Sequence, residues 1–115
     1  MRKKLGRLHD QAMTTFFISR HPGALVWAKR KGLHIDRFLP HLDPAIVQKG
    51  DTVLGTLPIP LAATVCARGA RYLHLSVDLP ATLRGQELSA NELERLQAEL
   101  VEYHAVQIDH EGQKK

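Results

Sequence analysis

The chain has 115 residues, one domain's worth at roughly 100–200 residues per domain. It is 43% hydrophobic and 24% charged, which excludes a chain disordered throughout, and no apolar run approaches the ~18–20 residues of a membrane span. The net charge of +4 is unevenly spread: residues 1–12 carry four basic side chains against one acidic, residues 13–108 carry ten against nine. The excess therefore sits on a terminal arm, and a nearly neutral body is no broad surface for duplex DNA.

Residues 1–12 lack the apolar stretch of a signal peptide and read as a flexible basic extension before Met13, residues 13–108 as the folded domain, and residues 109–115 as a polar tail. A single cysteine, Cys66, rules out an internal disulfide framework and suits a reducing cytoplasm. Thr14–Ser19 (TTFFIS) is short, β-branched and aromatic, the pattern of a buried strand. His21-Pro22-Gly23 breaks it, Ala24–Lys31 reads as a helix stopped at Gly32, and Leu33–Leu39 as a second strand. Asp43-Pro44 caps and opens a short helix, and Lys49-Gly50-Asp51 turns into a third strand at Thr52–Thr56. Leu61–Arg68 is an apolar helix that should lie flat on a sheet, and Arg71–Val77 a fourth strand. After a loop over Asp78–Leu88, Ser89 and Glu92 form a capping-box pattern. Leu93, Leu96, Leu100 and Tyr103 follow at helical spacing, which predicts a long amphipathic helix and a last strand at Ala105–Ile108. The alternation predicts an α/β fold: a small Rossmann-like three-layer sandwich with a mainly parallel sheet of about five strands and helices on both faces.

In such a sheet ligands bind beyond the carboxyl ends of the strands. The residues there are Ser19, Arg20, His21 and Gly23 after the first strand, and Gly55 and Thr56 after the third. Ser76, Asp78 and, further on, Arg84 follow the fourth. Arg20 carries a permanent forked charge suited to phosphate, and His21 can move a proton near neutral pH. Gly55 permits close approach of a ligand or another backbone. The plainer readings are a capping Ser19, a surface-paired Arg20, a structural turn at Gly55 and a turn residue at Asp78. His41 and Asp43 are too few for a metal site, and His74, alternating with Tyr72 and Ser76, reads as a half-buried hydrogen-bonded side chain rather than a catalyst. Trp27 reads as packing or a subunit contact. The GxxxxGK[ST], GxGxxG and GxSxG signatures are absent, which disfavours a nucleoside triphosphatase or a dehydrogenase.

The segments SRHPGA, PHLDP, GTLP, ARGARYLHLSVDLP and RGQELSA together resemble a family of small CRISPR-associated accessory proteins of type III loci, over about residues 13–107. The resemblance implies a topology like the CARF (CRISPR-associated Rossmann fold) sensors, and binding of a cyclic oligoadenylate messenger, cyclic tetraadenylate above all. It further implies ring-nuclease activity that switches the antiviral signal off, with no cofactor. A homodimer would offer the ring a closed site, since a fourfold ring contains a twofold axis. For that chemistry, placement at the strand ends makes Arg20 and His21 the expected catalytic residues, and Ser19, Gly23, Gly55, Thr56, Ser76, Asp78 and Arg84 the expected ligand contacts. A non-catalytic cyclic oligoadenylate sponge and an interaction protein of the type III effector complex are the competing expectations.

Overall fold

A computed structural model describes residues 13–109. The basic arm and residues 110–115 of the tail lie outside the described residues. The elements in chain order are β1 (Thr15–Ile18), α1 (Pro22–Arg30), β2 (Arg37–Leu39), a 3₁₀ turn (Pro44–Ile46), β3 (Thr52–Gly55), α2 (Ile59–Ala67), β4 (Arg71–Ser76), a second 3₁₀ turn (Ala81–Leu83), α3 (Ala90–Arg95) and β5 (Glu99–Tyr103). The sheet runs β2-β1-β3-β4-β5. The first four strands are mutually parallel and β5 is antiparallel to β4.

Strand interiors explain the central pair. Phe16 and Phe17 of β1 are successive residues and both are buried, as are Val53 and Leu54 of β3. A strand covered on both faces reads as a continuous apolar run rather than an alternating one. Phe17 and Leu54 pack with Trp27 and Ala28 of α1 and Leu93 of α3 on one side of the sheet. Phe16, Val53 and Tyr72 pack with Ala62, Val65 and Cys66 of α2 on the other. The layers are therefore helix, sheet, helix, the expected α/β sandwich. Trp27 is buried among these side chains, and its indole Nε1 meets no hydrogen-bond acceptor among the described residues. At the opposite edge from the site, buried Asp51 accepts the N–H groups of Thr14 and Gln48, both at 2.8 Å, and so fastens the entries of β1 and β3 together.

The last third of the chain departs from the expected pattern. The capping box at Ser89 and Glu92 is formed, but α3 ends at Arg95, and Gln97 takes a left-handed φ of 59°. Leu100 and Tyr103 then belong to β5, which pairs with β4 from Ser76↔Glu99 to Tyr72↔Tyr103. Residues 104–109 form no strand. The helical spacing of Leu93, Leu96, Leu100 and Tyr103 was coincident with an edge strand in which Leu100 faces the α1/α3 core while Tyr103 stays half-exposed. The second strand is also shorter than expected, beginning at Arg37, because Asp36 is used as a turn: its carboxylate accepts Thr15 N–H at 2.8 Å. Among the described residues no helix is long and apolar enough to cross a membrane.

Candidate functional site: a cleft at the switch in strand order

From β1 the chain passes through α1 to β2 on one side, then returns past β1 to β3 on the other. The carboxyl ends of β1 and β3 therefore diverge into loops that leave in opposite directions, which opens a crevice between them. Gly55 sets how tightly that crevice is floored. It pairs with Ile18, its φ is +150°, and a Cβ built there would lie 2.6 Å from the Ile18 carbonyl oxygen. The space Gly55 gives up is taken by β1 backbone, the second of the two readings the sequence allowed.

Above this floor lies a cleft of about 620 Å³. Ser19, Arg20 and His21 line it from the loop after β1, Thr56 from the exit of β3, and His74 and Ser76 from β4. Its apolar wall comes from Ile18, Leu75, Val77, Leu79, Leu88 and Leu93. Five of the nine expected site residues thus meet: Ser19, Arg20, His21, Thr56 and Ser76. Gly23 is absent from this lining; its Cα is pressed against Leu88–Ala90, where a Cβ would come within 2.5 Å of the Leu88 carbonyl. Asp78 and Arg84 are exposed and line no part of the cleft. His74 enters it from a strand interior. It is half-buried and hydrogen-bonded as the alternation predicts, and it also faces the cleft, which its spacing alone did not reveal.

Each polar side chain is placed by local chemistry. The Ser19 hydroxyl accepts His21 N–H at 3.0 Å, a short serine turn that swings the chain from β1 into α1. The first turn of α1 offers fewer free donors than its position suggests: Pro22 has no N–H, and that of Ala24 is turned back to the His21 carbonyl at 2.8 Å. Arg20 is exposed, touches His41 Nε2 at 3.2 Å, and has no carboxylate partner among the described residues. His41 accordingly accepts from the guanidinium, while Asp43 caps its own turn by accepting Ala45 N–H. Thr56 Oγ1 donates to the Leu75 carbonyl at 3.2 Å and ties the exits of β3 and β4. Among the described residues no three His, Cys, Asp or Glu side chains gather as a metal site would require.

The two cleft histidines carry their protons differently. His21 Nδ1 accepts the backbone N–H of Leu88 at 3.1 Å, so the neutral ring bears its proton on Nε2 and is a donor there. His74 Nδ1 lies 2.7 Å from the Tyr72 hydroxyl. That hydroxyl accepts Leu57 N–H at 2.8 Å and lies 3.2 Å from the Gly55 carbonyl. Burial raises the Tyr72 pKa above its ordinary 10.0, so the phenol keeps its proton at neutral pH.

Residues 16–106 match the family described as Putative CRISPR-associated protein (Cas_VVA1548). No curated protein and no solved structure matches the chain. The matched span runs from the buried phenylalanines of β1 to beyond the end of β5 and so includes every residue of the cleft. The chain belongs to this CRISPR-associated family.

Proposed function

We propose that this CRISPR-associated protein is a ring nuclease of type III systems, which binds cyclic tetraadenylate in a CARF-like site and linearises it. The observation that carries the reading is Arg20: a guanidinium without a carboxylate partner among the described residues, in the lining of a cleft at the strand-order switch. Permanent charge beside Ser19 and Ser76 hydroxyls suits phosphates, and the apolar wall of leucines and valine suits purine faces. Such a cleft suits part of a tetranucleotide ring. Two clefts about a twofold axis would enclose the whole.

The chemistry draws on the substrate's own nucleophile. A ribose 2′-hydroxyl attacks the adjacent phosphorus and gives up its proton to a base, the P–O5′ bond breaks, the departing 5′-oxygen takes a proton from water, and a 2′,3′-cyclic phosphate and a 5′-hydroxyl result. Arg20 balances the charge gathering on the phosphorane oxygens. The His21 Nε2–H donates a hydrogen bond to the same group. Ser19, Thr56 and Ser76 orient the backbone so that the 2′-oxygen lies in line with the bond that breaks. Proton transfer by His21 itself would require the doubly protonated ring, in which Leu88 N–H loses its acceptor.

Purified protein incubated with cyclic tetraadenylate in EDTA tests the reading directly. The expected product is linear adenylate ending in a 2′,3′-cyclic phosphate. Recovery of intact ring at stoichiometric protein overturns it. A second reading, a sponge that sequesters the messenger uncut, is favoured by one feature: His21, held by Leu88, is built to grip a phosphate rather than to shuttle a proton. Tight binding with intact ligand recovered distinguishes that outcome.

A further inference from the structure

The hydrogen bonds around Tyr72 decide which nitrogen of His74 is free. A phenol has one proton. The Gly55 carbonyl, 3.2 Å away, can only accept. If the Tyr72 proton pointed to His74 instead, two oxygens with no proton between them would face each other across that distance, one of them a buried carbonyl. A single arrangement satisfies all three contacts: Leu57 N–H and His74 Nδ1–H both donate to the phenol oxygen, and the phenol donates to Gly55. The ring is further held edge-on between Tyr72 and Tyr103, with centroids 5.8 and 5.9 Å away. With the proton on Nδ1, Nε2 is a bare lone pair. Among the described residues it has no partner, and solvent reaches it.

In their neutral forms the two imidazoles of the cleft thus have opposite character: His21 is a donor at Nε2, His74 an acceptor at Nε2. We infer that His74 is the general base of the site, accepting the 2′-hydroxyl proton of a ribonucleotide as the 2′-oxygen attacks phosphorus, and that Tyr72 is its positioning residue. The inference rests on the ring-nuclease reading above and assigns a base to it. The proton moves from the 2′-oxygen to His74 Nε2, giving an imidazolium whose two N–H groups face Tyr72 and the cleft. The departing 5′-oxygen takes a proton from water, and the imidazolium returns its own to the hydroxide so formed, which closes the balance. Arg20 and His21 stay unchanged, as charge and donor.

Two measurements on the full chain test it. Long-range ¹H–¹⁵N correlation of the histidine rings near neutral pH reads the tautomers with no substrate present. His74 is expected protonated at Nδ1 and His21 at Nε2, and a His74 protonated at Nε2 overturns the inference. Single-turnover cleavage of cyclic tetraadenylate is then followed for His74→Gln and His74→Ala. A general base contributes on the order of 10²–10⁴-fold, so the rate should fall by that much while ligand affinity stays within a few-fold. Free imidazole should restore part of the His74→Ala rate, a rescue that a merely structural histidine would not show. Undiminished cleavage by both variants overturns the base role and leaves the nuclease reading standing. Intact ring with the wild-type protein overturns both, whatever the tautomers.

Discussion

At the scale of single residues, the site divides into side chains the sequence exposes and side chains it conceals. Ser19, Arg20, His21 and Thr56 follow the ends of strands that are easy to recognise, so their convergence follows from the topology. Ser76, the last residue of β4, is reached by the same rule. Asp78 and Arg84 lie on a loop whose path no periodicity dictates, and it carries them away from the cleft. His74 is hidden for the opposite reason: it sits inside β4, where alternation speaks of burial and is silent on hydrogen bonding between Tyr72 and a ring two residues on. On the proposed function, Arg20→Ala should weaken binding of cyclic tetraadenylate about 10–100-fold, since hydrogen bonds to a charged group are worth about 1.5–3 kcal/mol. It should leave the melting temperature unchanged, because this exposed guanidinium holds no carboxylate among the described residues; calorimetric titration and a thermal melt check the two halves. Asp36 responds to acid. Its hydrogen bond from Thr15 N–H, and secondly that from His34, hold its carboxyl below the ordinary 3.8. A lowered folded value stabilises the protein above the ordinary carboxylate range, and that contribution is lost as pH falls through the lowered value. Melts of wild type and Asp36→Asn should therefore differ near neutral pH and converge in acid.

At the scale of elements, the four parallel strands and the first two helices are legible because local propensity, turn residues and burial agree there. They disagree after Ser89. Leu93 and Leu96 establish a helical period, Leu100 and Tyr103 continue it, and no glycine marks the stop. The break is made by Gln97 in a left-handed conformation, closed locally by Ala98 N–H donating to the Leu93 carbonyl at 2.9 Å and followed at once by pairing with β4. Replacing Gln97 with Gly removes that strain and should stabilise the fold by about 0.5–1 kcal/mol after the extra chain entropy of glycine is counted. A denaturant titration with unchanged slope would show it. Gly55→Ala should act in the reverse sense. A methyl group 2.6 Å from the Ile18 carbonyl, on a residue at positive φ, must spread β1 from β3. A loss of about 2–4 kcal/mol is expected, and because the same two strand ends floor the cleft, ligand affinity should fall with it.

At the scale of the whole molecule, the near-neutral body and the local cation of the cleft together favour a compact polyanion over a duplex. If two half-sites close on one ring, sedimentation should show the ligand shifting the protein toward a dimer at half-molar stoichiometry. One ligand per monomer with no change in mass would place a complete site in each chain. The fold also carries its own observer of such events. Trp27 is the sole tryptophan, buried between α1 and the sheet with no acceptor for its indole N–H among the described residues. An indole in so dry a setting emits at the short-wavelength end of its range. The same buried cluster contains Leu88, whose amide holds His21 at the cleft, so the emission of this one ring offers an unlabelled optical readout of whether filling the cleft loosens or tightens the layer behind it.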